Sequence, residues 1–365
     1  MGEHRSRGHD QRGHYLWRRL GSDTPVQKVT FFTKVGGEIC GVGRFACGDT
    51  MFLGARVFLL LVPLLTALDP AATHAAESGD FAGLVDIGGG RKMYLECRGS
   101  GSPTVVFVAA LKGSAEDWNI AEKKAPTVFA EVAKFTRVCA YDRPGTPVGE
   151  KPSRSDPVRQ PTTAQDAASD LHGLLGAAKE PTPHVIVGHS YGGLVAKLYA
   201  RIYPQDVSGL VLIDALTEGL QDAETPEQWA IQRVLMEGDI RESLALYPDL
   251  ERIDPDRSFE QVRAAQPLRP LPLVVLSADR AWGPQVPSMI AAGVLPAGVP
   301  PDFGYVTDAA QKEAQDRLAE LVPNAKHVTN TNSGHEIQKE QPQLVIDSIR
   351  EVVGAVRIGS RRLLQ

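Results

Sequence analysis

The 365-residue chain has little of what several large functional classes require. Its net charge is only −5, with 39 Lys and Arg against 44 Asp and Glu. The basic residues are scattered, so the sequence has no electrostatic footprint for nucleic acid. There are four cysteines, with no C-x-x-C and no Cys/His cluster, so nothing in the sequence suggests a metal centre. No apolar run is long enough for an ordinary membrane span. The longest, within Met51–Leu68, has an apolar core of about 12 residues, includes Pro63, and falls short of the roughly 20 a spanning helix needs. What remains is an ordinary apolar share of 42% on a length that holds one large domain plus extras.

The first 76 residues differ from the rest. Residues 1–50 begin with an Arg-, Gly- and His-rich stretch that has almost no apolar periodicity, and they are expected to be a disordered or mis-started leader. Residues 51–76 follow a single Arg with an apolar core and then small residues ending at Ala75-Ala76, the pattern of a secretory signal peptide. Export is therefore expected, with transient membrane association through this apolar segment. An uncleaved membrane anchor is the alternative.

From residue 77 the chain alternates strands and helices. Thr104–Val108 and Thr136–Tyr141 are apolar strands of the kind buried in a parallel sheet. Thr163–Ala178 has helical spacing in Ala167, Leu171, Leu174 and Leu175. Val207–Asp214 and Pro272–Asp279 are strands that close on an acid, and Ala325–Asn330 is the last strand. Residues 217–270 break the rhythm and are expected to form a short helical lid. Pro144–Pro161 is expected to be a polar excursion that does not pack, Pro284–Tyr305 a long loop, and 357–365 a frayed tail. The predicted fold class is α/β, with a mostly parallel sheet between layers of helices.

The most informative stretch is His184-Val-Ile-Val-Gly-His-Ser-Tyr-Gly-Gly193. An apolar strand runs into Gly188-His-Ser-Tyr-Gly192, and a helical run from Leu194 follows at once. Small residues around Ser190 permit a sharp strand-to-helix turn on which Oγ stands clear. Ser190, Asp214, Asp279 and His335 all fall at strand ends or just beyond, where parallel α/β sheets bind ligands.

These motifs, with Tyr141-Asp-Arg-Pro-Gly145, Leu210-Val-Leu-Ile-Asp-Ala215 and Asn332-Ser-Gly-His-Glu336, resemble the α/β-hydrolase superfamily over about residues 80–356. The resemblance implies a Ser–acid–His triad in that chain order. Ser190 would be the nucleophile and His335 the general base. The acid is Asp214 or Asp279, since relatives use either strand end. Asp214 fits its strand end more cleanly, because Leu276-Ser-Ala-Asp279 departs from the usual glycine-x-x-Asp pattern, and it is preferred here. The oxyanion donors would be the N–H groups of Tyr191 and Leu111, although Ala109-Ala110 stands where many relatives have His-Gly. His189 and Trp282 are candidate pocket residues, and Asp142-Arg143 is expected to hold its loop by pairing. In the family's strand order Cys97 and Cys139 lie on neighbouring strands, which makes a disulfide between them reasonable in an exported protein.

The implied activity is hydrolysis of small to medium carboxylic esters through an acyl-enzyme, with a small-molecule ester as partner and with no cofactor, metal or nucleic acid. An aminopeptidase or amidase on the same scaffold is the alternative within enzymes, and a non-catalytic binding protein the alternative outside them. Epoxide hydrolase and dehalogenase chemistry is disfavoured, because relatives of that kind carry Asp at the position of Ser190.

Overall fold

A computed structural model describes residues 79–363 except 123, 124 and 239. The leader expected over 1–50, the signal-like segment over 51–76, and Cys40 and Cys47 lie outside the described residues. No helix among the described residues is long and apolar enough to cross a membrane.

The core is an eight-stranded sheet of β1 (Phe81–Gly88), β2 (Arg91–Arg98), β3 (Val105–Val108), β4 (Val138–Tyr141), β5 (His184–His189), β6 (Val207–Ile213), β7 (Leu273–Leu276) and β8 (Lys326–Val328). The spatial order is β1-β2-β4-β3-β5-β6-β7-β8. The β1–β2 and β2–β4 pairs are antiparallel and all others parallel. The helices are α1 (Val128–Val132), α2 (Ala164–Ala177), α3 (Tyr191–Ile202), α4 (Glu218–Asp222), α5 (Pro226–Glu237), α6 (Arg241–Leu246), α7 (Pro255–Ala264), α8 (Val286–Ala291), α9 (Phe303–Ala319), α10 (Ile337–Glu340) and α11 (Pro342–Arg357).

Alternation along the strands builds two cores. Val106, Val108, Ile186, Leu210, Leu212 and Val275 face one way, toward Leu171 and Leu174 of α2 and Leu194 and Leu198 of α3. Val105, Phe107, Val185, Val187, Val211 and Val274 face the other way, toward Phe129 of α1 and Ile349 and Val353 of α11. Both faces are covered, which is why the central strands are apolar throughout rather than alternating. The lid segment forms α4 to α7 between β6 and β7.

Four features differ from the sequence expectation. β1 is an additional antiparallel edge strand, missed because it is half-exposed and contains two glycines. The expected loop over Pro284–Tyr305 contains α8 and the start of α9. Pro287 is tolerated in the first turn of α8, and Val286 and Phe303 are buried in a small apolar cluster. The polar excursion after β4 does pack, through hydrogen bonds rather than apolar area: Arg154 bonds Asp142 (Nε–Oδ2 2.5 Å), and the Ser155 hydroxyl donates to Asp142 O at 2.7 Å. The tail is also held, by Leu363, which is 6% exposed, and by Arg357, which donates to Ser102 O (2.8 Å) and Phe135 O (2.7 Å).

Candidate functional site

Ser190 sits between β5 and α3 with φ 53° and ψ −123°, a left-handed conformation unusual for a residue with a side chain. Local bonds hold it there. Its N–H donates to Ile213 O at 3.1 Å, and its carbonyl accepts from Gly193 N and Leu216 N, each at 2.9 Å. Gly192 makes the turn possible. A Cβ at that position would lie 2.1 Å from Val108 O and 2.5 Å from Ala109 O, so only glycine lets the start of α3 rest against the end of β3. The same contact brings Tyr191, the first residue of α3, beside the loop that contains Leu111. The first N–H groups of a helix have no intrahelical acceptor and are available to a ligand.

β5 and β6 pair in register with His189 opposite Ile213, so Ser190 and Asp214 leave neighbouring strands at the same level. Asp214 also has positive φ, 37°, and its N–H donates to Leu276 O at 2.7 Å. Its carboxylate is well supplied: His335 Nδ1 lies 2.6 Å from Oδ2, and Ala278 N (3.1 Å) and Gln311 Nε2 (3.5 Å) donate to Oδ1. Burial disfavours the Asp214 charge, but the His335 hydrogen bond and charge outweigh it, and the carboxyl titrates below its ordinary range. For His335, partial burial opposes protonation, while the bond to Asp214 and its charge favour it. The net movement is upward.

Asp279, the other acid considered, lies elsewhere in the same region. It is exposed, and its carboxylate accepts from Asn332 N and Ser333 N, each at 2.9 Å, and from Thr331 Oγ1 at 3.4 Å. It holds the loop that leads to His335 rather than the imidazole.

His189 is 2% exposed, with its ring centroid 4.6 Å from that of His335. Its Nε2 lies 2.9 Å from His335 O, so Nε2 carries the proton and donates, and Nδ1 is left to accept from Gln338 Nε2 at 3.2 Å. Burial depresses its pKa to about 4, so the ring is neutral at physiological pH. His189 therefore supports the main chain of the His335 loop. Gln338 and Gln311 were not singled out from the sequence, since a glutamine on a helix carries no local signal of the partner it meets.

Trp282 is half-buried and packs with Leu235 of α5, Val286 and Phe303 in the lid-side cluster, and its main-chain N–H donates to Asp308 Oδ1 at 2.9 Å. Asp142 and Arg143 do not pair with each other. Asp142 bonds Arg154, while Arg143 bonds Glu251 from the lid segment (Nε–Oε1 2.6 Å). Adjacent side chains on an extended segment point apart, so each found its own partner. Cys97 and Cys139 face each other across β2 and β4, with their sulfurs 2.09 Å apart. These two, with Glu180, are a cluster of metal-ligand type among the described residues. The sulfurs are bonded to each other, and Glu180 pairs with Arg137 at 2.7 Å.

Comparison with known proteins gives a family match. The model described as "Alpha/beta hydrolase family" matches residues 100–348. An uncharacterized protein of Bacillus subtilis, YqjL, is 31% identical over 117 residues, which is 32% of this chain and 41% of that protein. The matched region thus spans about two fifths of that relative's length. Among solved structures, a thermophilic esterase from Thermogutta terrifontis aligns over 76% of this chain and 99% of its own, at 18% identity and TM-score 0.48. Est816, described as an N-acyl homoserine lactone degrading enzyme, aligns over 73% and 98%, at 21% identity and TM-score 0.46.

Proposed function

The chain belongs to the alpha/beta hydrolase family, and from that membership we propose that it hydrolyses carboxylic esters through Ser190, His335 and Asp214 by way of an acyl-enzyme. The observation that carries this reading is the 2.6 Å contact between His335 Nδ1 and Asp214 Oδ2, next to a serine held at φ 53° on a strand-to-helix turn. With Nδ1–H donated to the carboxylate, Nε2 is the basic nitrogen of His335. It takes the Ser190 proton as Oγ adds to the ester carbonyl, and returns it to the departing alcohol. The N–H groups of Tyr191 and Leu111 receive the oxyanion. Water, deprotonated by the same nitrogen, then adds to the acyl carbonyl, and collapse releases the acid and restores the Ser190 hydroxyl. A serine nucleophile argues against the carboxylate-based chemistry of epoxide hydrolases. The Cys97–Cys139 bridge supports export, since such bonds persist in oxidising compartments.

The test is hydrolysis of p-nitrophenyl esters from acetyl to palmitoyl by the full chain, beside Ser190→Ala and with labelling by a fluorophosphonate. Hydrolysis and labelling by the parent are expected, with loss of labelling and a fall in kcat on the order of 10⁶-fold in the variant. A parent protein that neither labels nor turns over any ester in the series would reject the reading.

A further inference from the structure

The second oxyanion donor, Leu111 N–H, lies in a loop that has Ala109-Ala110 where many relatives have His-Gly, and beside the turn bond from Gly113 N to Ala110 O (2.9 Å) side-chain bonds hold its conformation. Arg143 and Glu251, each 2% exposed, lie against that loop. Arg143 donates to Ala109 O (Nη1, 2.9 Å) and to Ala110 O (Nη2, 2.6 Å). It also donates to both oxygens of Glu251 (Nε–Oε1 2.6 Å, Nη2–Oε2 3.1 Å). Glu251 Oε2 accepts the N–H of Lys112 at 2.6 Å, and Lys112 has φ 61°. The lid segment is seated as well: Glu251 N donates to Gly145 O at 2.9 Å, and a Cβ on Gly145 would lie 2.3 Å from Asp249 O. The Tyr191 ring lies under the guanidinium, 5.2 Å from its carbon.

The peptide plane gives these contacts their meaning. In a trans peptide the carbonyl of residue 110 and the N–H of residue 111 point in opposite directions. Holding Ala110 O against Arg143 therefore turns the Leu111 N–H away from the buried ion pair. The bond from Lys112 N to Glu251 fixes the next peptide, so the plane carrying the donor is clamped on both sides. A buried ion pair is weak evidence for stability, because apolar residues of similar volume often serve as well. Here the pair bonds three peptide groups of one loop. Resting on the ester-hydrolase reading, we infer that the Arg143–Glu251 pair positions the Leu111 N–H as an oxyanion donor and makes that donor depend on a seated lid.

The test compares the parent, Glu251→Gln and the double variant Arg143→Met/Glu251→Leu on p-nitrophenyl butyrate. Rates are taken per active site titrated with a fluorophosphonate, and inhibition by an aryl trifluoromethyl ketone is measured alongside, since its adduct with Ser190 bears the oxyanion. The double variant leaves no unpaired buried charge, so it remains testable where a single removal fails to fold. Its kcat per labelled site is expected to fall about 10²-fold, the usual worth of one oxyanion donor, with KM within about threefold. Affinity for the ketone should fall by the same factor. The acid-side midpoint of the pH profile should stay in place, because His335 and Asp214 are untouched. Glu251→Gln should lose less, since its amide oxygen still accepts from Lys112. Parent-like turnover per labelled site in the double variant, or a rate loss without weaker ketone binding, would overturn the inference. An inert, unlabelled parent would instead remove the ester reading on which it rests.

Discussion

The ends of β6 and β7 present the same side chain to the same region and employ it differently. Asp214 directly follows β6, is buried, and accepts from the imidazole of His335 at 2.6 Å. Asp279 lies beyond the end of β7, is exposed, and accepts from the main chain at Asn332 and Ser333. Both carboxyls titrate below their ordinary range against the cost of lost hydration, Asp214 through an imidazole and Asp279 through backbone N–H groups. A depressed carboxylate is therefore no guide to its role; the donor that it meets decides. One acid holds the His335 imidazole and the other holds the loop that carries it.

The largest expected break in this comparison comes from Asp214→Asn. The amide cannot hold His335 in the required tautomer, and kcat should fall about 10⁴-fold, as in the worked serine-protease case. The sign of the pH effect follows from the same contact. Asp214 raises the His335 pKa above its ordinary value, the base must be neutral to act, and so parent activity should be lost as pH falls through a midpoint above about 6.5. In the Asn variant that midpoint should move to lower pH. A pH–rate profile of kcat/KM measures both effects.

Asp279→Asn should cost far less, about tenfold or below, because a carboxamide oxygen still accepts main-chain N–H groups. Hydrogen exchange should quicken over residues 331–335 without a shift in the acid-side midpoint. If this variant lost 10⁴-fold while Asp214→Asn stayed active, the two roles would have to be exchanged.

The smallest effect concerns His189, which grips the same loop from the β5 side. Its folded pKa of about 4 lies below the unfolded value, so the unfolded chain binds the additional proton between roughly pH 4 and 6.5. Stability should therefore fall as pH drops through this window, by about 3 kcal/mol at most for this group. In His189→Asn that part of the pH dependence should disappear from urea unfolding curves, and an unchanged slope would show that His189 is not its source.

The strand-to-helix turn at Ser190, the buried strands and the order of the chemical groups along the chain were all legible from residue types, because they depend on local backbone geometry and on alternation over a few positions. Asp214 and Asp279 stayed alternatives at that level, since each ends a strand with no nearby residue to mark its partner. The edge strand β1, the helix α8, the packing of the Pro144–Pro161 segment and the contact of Arg143 with Glu251 were not legible either. They rest on contacts between residues far apart in the chain, or on polar bonds that carry no periodicity.

By itself the sequence determined the α/β class, the sharp turn that presents Ser190, and the set of groups at the strand ends. These follow from hydrophobic period, small residues and chain order. Only the tertiary structure decided that His335 meets Asp214 and that Asp279 holds the backbone beside it. It likewise decided that Glu251 leaves the lid to pair with Arg143. Each of these depends on strand register and on where a returning loop comes to rest, and no local property of the chain encodes a distance across the fold.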